Sequence, residues 1–182
     1  MLVEVKVQSL GLDRASNMPV LILRELDGER VLPIWIGPGE ASAIAMQLAD
    51  MKFSRPLTHD LLVSVVGGLG GSLDRVVITR VADSTYYAEL MIRREGNVIS
   101  VDARPSDSIA VALRMDARIF AADELLERAS IEVTEEEGSF TAEGPGATGK
   151  KEEDEDAPLM DADELQEYLR RLNPEDFGRF SP

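Results

Sequence analysis

Cysteine is absent from this sequence, and histidine and tryptophan occur once each, as His59 and Trp35. Without thiols there can be no disulfide and no thiolate-ligated metal, and one imidazole per chain cannot build a multi-histidine zinc site within a subunit. Long apolar runs are missing too: none approaches the roughly 20 residues that a membrane-spanning helix needs. The first residues, MLVEVKV, alternate apolar with charged instead of forming a basic and then apolar leader, so a soluble cytoplasmic protein with no membrane partner is expected. Neither a phosphate-loop nor a dinucleotide-binding fingerprint occurs, and there is no repeat at solenoid spacing, so no organic cofactor is expected.

Positive charge is also scarce: 19 Lys+Arg face 34 Asp+Glu, a formal net charge of −15. The deficit is uneven. Residues 1–130 carry 14 basic against 18 acidic side chains, net −4, whereas residues 131–182 carry 5 against 16, net −11. A body near neutrality whose cations are mostly arginine can hold a local phosphate-binding patch, although its long-range field does not draw nucleic acid in.

These balances divide the chain. Residues 1–130 suffice for one well-buried core. Residues 131–158 combine like charges, glycine and proline with little to bury, which predicts a flexible acidic linker. In 159–182, Leu165, Tyr168, Leu169 and Leu172 share one helical side before Asn173-Pro174 ends it, giving a short amphipathic helix suited to docking on its own body or on a protein partner.

Within the body, Val3, Val5 and Val7 alternate with Glu4, Lys6 and Gln8, the period of a strand with one buried face. Runs at 20–25 and 30–36 flank Asp27-Gly28, a tight-turn signal, so the chain opens as a three-stranded meander. Ala41, Ile44, Ala45 and Leu48 mark a helix started by Pro38, and Trp35 just before it is expected to seal that helix against the sheet. A second helix follows Thr58, with Leu61, Leu62, Val65, Val66 and Leu69 expected to face inward. Runs at 73–80, 85–93 and 98–102 predict three more sequential strands, with Tyr86 and Tyr87 pointing to opposite faces. A helix after Ser106, with Ile109, Ala112 and Leu113 toward the core, a short strand at 117–121 and a short helix at 123–128 complete it. The expected fold is α+β: a mixed, mainly antiparallel sheet with helices packed on it, plus a disordered acidic tail ending in a short amphipathic helix.

Two corners carry the polar chemistry. In VDARPSDSIAVALR, Arg104-Pro105 forces an extended bend because the residue before a proline leaves the helical region, and Ser106 is placed as the helix cap. Asp102, Arg104, Ser106 and Asp107 thereby gather where the free amides of a first helical turn favour anions. RPLTHD repeats the pattern with Arg55, Thr58 as cap, His59 and Asp60. The same side chains also suit plain stabilisation, with Arg104 pairing Asp102 and the acids complementing the helix dipole.

LPIWIGPGEASAIA, RPLTHDLL and VDARPSDSIAVALR, in this order and at these separations, resemble the signature blocks of the bifunctional nuclease domain family of bacteria and plants. The resemblance spans roughly Val3 to Arg128, and the LNPEDF tail is similar to the C-terminal segment of actinobacterial members. Gly39 departs from the family pattern and lowers local helix propensity, but removes no proposed functional group. The resemblance implies a compact α+β domain that cleaves both DNA and RNA, with Glu40 at the acidic position after IG. It supplies no residue roles, so these follow from chemistry. Phosphodiester hydrolysis requires an activated water, charge relief on the phosphoryl oxygens and help for the leaving oxygen. His59 or Asp60 is the expected general base, Arg55 and Arg104 the phosphate clamp, and Asp60 with Asp107 the expected holders of a divalent cation such as magnesium. The alternative is a non-catalytic anion- or protein-binding module that homo-oligomerises, which the acidic balance favours.

Overall fold

The structure, a computed structural model, describes residues 1–13 and 16–129. The expected linker 131–158 and terminal helix segment 159–182 lie outside the described residues. Strands β1 (Leu2–Leu12), β2 (Pro19–Glu25) and β3 (Val31–Trp35) form the expected antiparallel meander. Arg30 closes its second turn with a two-pronged contact to Glu25, at 2.8 and 3.0 Å. After α1 (Pro38–Leu48) and α2 (Thr58–Gly68) comes a second meander of β4 (Ser72–Ala82), β5 (Thr85–Arg94) and β6 (Asn97–Ala103). Helix α3 (Pro105–Met115), strand β7 (Arg118–Ala122) and helix α4 (Asp123–Ala129) follow.

The two meanders are joined by the last strand. The sheet order is β3-β2-β1-β7-β4-β5-β6, with β7 antiparallel to β1 and parallel to β4. The result is the expected mixed, mainly antiparallel α+β fold. Alternation along the strands sends Val5, Leu21, Leu23, Leu32, Val76, Ile78, Ala88 and Leu90 to one face, where they meet Ile44 of α1, Ile109 and Ala112 of α3, and Leu126 of α4 in one core. Tyr86 packs on that core, while Tyr87 lies beneath the Arg80 guanidinium, 3.6 Å from its ring centre.

Four local expectations are corrected. Helix α2 buries none of its side chains: Leu61, Leu62, Val65 and Leu69 are 56, 38, 47 and 62% exposed. Its apolar stripe is real, but a helical period shows which side is apolar and not what covers it. Trp35 packs with Val20, Ile22 and Val31 in a separate cluster and donates its indole N–H to Asp13 at 3.2 Å, so it does not seal α1. Finally, Thr58 and Ser106 sit one and two positions inside their helices, because the extended Leu57 and Arg104 hold the cap positions. Leu48 also departs from its stripe and stays 44% exposed.

Candidate active site

The two Arg-Pro corners differ by their distance from the helix they open. Pro105 is the first residue of α3, so Arg104 is itself the cap and its side chain lies over the helix mouth. Arg55 stands two residues before the Leu57 cap, is exposed, and among the described residues makes no hydrogen bond or ion pair. Helix α2 packs against α3 and brings the second residue of one to the third of the other. His59 Nε2 lies 3.1 Å from Asp107 Oδ1, and Arg104 Nε donates to Asp107 Oδ2 at 2.7 Å. A terminal nitrogen of Arg104 also contacts Glu40 Oε1 of α1 at 2.8 Å. Arg104 therefore bridges Glu40 and Asp107, not Asp102.

Burial alone would raise the Asp107 carboxyl, but the hydrogen bonds from Arg104 and His59, and then their charges, outweigh it and hold the group below the ordinary aspartate range. The ionised carboxylate only accepts, so Nε2 must carry the hydrogen of the His59 contact. In the neutral ring the other nitrogen, Nδ1, is then the proton acceptor. His59 keeps 13% of its side chain exposed, and Arg104 65%.

Asp60 has a different task. One oxygen accepts from Arg114 Nε at 2.6 Å and the other from the Leu57 backbone N–H at 2.9 Å, at the head of α2. Arg114 is almost fully enclosed, with 6% side-chain exposure, and also donates to the carbonyls of Ala110 and, at 3.2 Å, Ala43. It ties α1, α2 and α3 together. Here burial raises the Asp60 carboxyl, but the Arg114 and Leu57 hydrogen bonds and the charge of Arg114 lower it further. Arg114 has a signal in the sequence, since it shares the face of Asp107 and Ala110 at i+7 and i+4 of α3, but a buried cation is found only with its partners.

These contacts decide how the acids fit a metal. All four oxygens of Asp60 and Asp107 face arginine, histidine or backbone N–H donors, and among the described residues no three His, Asp or Glu side chains converge as ligands. A hard divalent cation needs six or so free oxygens, water included, so these residues do not fit magnesium as arranged.

The His59–Asp107–Arg104 group stands at the rim of a hollow of about 520 Å³. Thr58 and Asp102 share the rim. Leu62 and Val66 of α2 form one wall, Val111 and Met115 of α3 another, and Leu73, Leu90, Ile92 and Val101 the floor. A charged lip above an apolar well of this size suits a ligand with an anionic group and a flat or apolar body.

A model of the bifunctional nuclease domain matches residues 21–134, which include every residue of this lip. The chain belongs to the bifunctional nuclease domain family. An uncharacterized protein of Mycobacterium tuberculosis is 38% identical over 174 residues, 96% of this chain and 97% of its own length. Bifunctional nuclease 1 of Arabidopsis thaliana is 25% identical over 144 residues, 77% of this chain but 44% of the plant protein. Bifunctional nuclease 2 of Oryza sativa is 26% identical over 111 residues, 59% of this chain and 34% of that protein. In this family member the matched region thus holds the dyad, the bridging arginine and the Arg114 tie in one continuous structure.

A second polar surface lies on the sheet face away from α1 and α3. Lys6 is opposite Arg24, and Arg118 is opposite Arg75; Lys6 and Arg118 follow one step past the Val5–Ile119 pair. Four cations thus stand in a row across β2, β1, β7 and β4. Like charges so placed repel, and the acids nearby offset only part of it: Asp74 pairs with Arg75 at 2.9 Å and with Arg93, and Glu4 lies 3.9 Å from Arg118.

Proposed function

We propose that this protein is a nuclease that hydrolyses phosphodiester bonds in cytoplasmic DNA and RNA at the His59–Asp107–Arg104 lip. The observation that carries the reading is the dyad: the single histidine of the chain, oriented by an ionised aspartate beside an exposed guanidinium, within the residues that match the family. His59 takes a proton at Nδ1 from the attacking water, whose oxygen bonds to phosphorus as the P–O bond to the leaving sugar oxygen breaks. Asp107 stabilises the imidazolium that forms, which returns the proton to the leaving oxygen. Arg104, exposed and cationic, meets the phosphoryl oxygens with the N–H groups that Asp107 and Glu40 leave free. Arg55, unpaired among the described residues, is a further cation for the chain of phosphates leading to the lip. Asp60 acts through Arg114 as a positioning group and touches no substrate. No step passes through a metal.

Purified wild type, His59→Ala and Arg104→Ala are to be compared on single-stranded DNA and on RNA, with and without a chelator. Loss of the general base should lower cleavage about a hundredfold or more. Chelation should leave the wild-type rate unchanged. Equal cleavage by highly purified His59→Ala removes the dyad from catalysis, and a chelator-sensitive rate restores Asp107 to metal binding.

The engagement of Arg104 by two carboxylates, which leaves it fewer donors for a phosphate, favours a second reading, a non-catalytic module that binds an anion or a protein. Under that reading none of the samples, wild type included, cleaves either substrate.

A further inference from the structure

Among the described residues the sheet has two free edges, and they are built differently. β3 is five residues long and carries Pro33, which offers no N–H, so it is a poor template for another strand. β6 is seven residues long, reads Asn-Val-Ile-Ser-Val-Asp-Ala, and has no proline, no lysine and one charge, Asp102. Val98, Ile99 and Val101 on it are 47, 47 and 39% exposed. A long apolar edge without such guards is a strand awaiting a partner.

Helix α2 has the same incompleteness on the same side of the sheet. Around its axis Leu61, Val65, the cap Leu69, Leu62 and Val66 form one stripe, from the outer side inward to the hollow's wall. Ile99 and Val101 pair with Ile92 and Leu90, so they continue the hollow's floor to the sheet edge. Both apolar surfaces border one open flank. If wholly covered, the exposed apolar side chains of α2, its cap Leu69 and β6 would remove roughly 600 Å² per copy and about 1,200 Å² in a symmetric pair, the lower bound for specific interfaces.

We infer that α2 and β6 form a two-fold interface with a second copy of this chain, with the two β6 strands paired antiparallel about Ser100. The register is self-complementary. Ile99 meets the partner's Val101, which makes an unbroken apolar strip across the axis from Ile92 to the partner's Leu90. On the other face Val98 meets the partner's Asp102, so no like charges are directly opposed across the axis. The α2 helices then face each other over the strip, and the partner's α2 closes the open side of each hollow.

The absence of cysteine makes the test clean. Full-length chain should sediment at twice its 19.9 kDa mass. Ser100→Cys lies on the axis and should form a disulfide-linked dimer on mild oxidation, because directly opposed strand residues meet the geometry of the bond. Asp27→Cys, at the turn beyond β2, should not. Ile99→Lys with Val65→Asp should shift the protein to a monomer with unchanged far-UV circular dichroism. A monomeric wild type overturns the proposal. So does a dimer that survives the double substitution and leaves Ser100→Cys unlinked, or equal linking by Asp27→Cys. A monomer whose α2 and β6 amides resist hydrogen exchange until residues 159–182 are removed also overturns it, and assigns the surface to that segment.

Discussion

Single side chains divide here into those that position and those that are free to act. Asp60 and Asp107 occupy matching places, yet one is pinned by a buried arginine and the other by an exposed one, and this difference sets their roles. Both carboxyls titrate below their unfolded values, so the unfolded state binds more protons as acid is added. Their stabilisation is complete above the unfolded value, about 4, and fades as pH falls through the folded one. Asp60→Asn should therefore lower the melting temperature at pH 7 and flatten its fall between about pH 5 and 2, measured by thermal melts across that range. If the acid limb keeps its wild-type slope, the Asp60–Arg114 contact contributes nothing to stability. Residue identity alone could not separate these aspartates. The RPLTHD and RPSD patterns correctly mark two polar helix mouths, but the partners of Arg104 and Asp60 lie 64 and 54 positions away, at Glu40 and Arg114.

Among the elements, helices α2 and α3 are both apolar along one side and fare oppositely. The 3.6-residue period reads α3 correctly, with Ile109 and Ala112 fully buried. Ile109→Ala should cost about 2–5 kcal/mol, from lost transfer energy and the cavity left behind, as measured by denaturant unfolding. A cost near zero would mean that α3 repacks. The same period in α2 predicts burial that the described residues do not supply, since Leu61, Val65 and Leu69 stay largely exposed. Strand existence is likewise legible, because alternation and turn residues are local. The placement of β7 is not: its five residues carry no mark of pairing with β1 on one side and β4 on the other, contacts that span most of the chain.

For the molecule as a whole, charge distribution matters more than total charge. The described body has its cations concentrated on both faces of the sheet, Arg104 and Arg55 at the helix side and the Arg24–Lys6–Arg118–Arg75 row on the other. If nucleic acid is the ligand, binding should weaken steeply with salt. Lys6→Gln with Arg118→Gln should reduce the slope of log K against log salt by about 0.7 per lost contact on single strands. An unchanged slope would place the nucleic acid entirely on the helix side. Total composition points away from such a surface, because the acidic excess of residues 131–182 masks a body close to balance.

The strand that joins the two halves of the sheet is the last of the seven to be synthesised. Until residue 122 has left the ribosome, a nascent chain can form two separate meanders but cannot unite them, and β1 and β4 each expose a raw border to any neighbouring polypeptide.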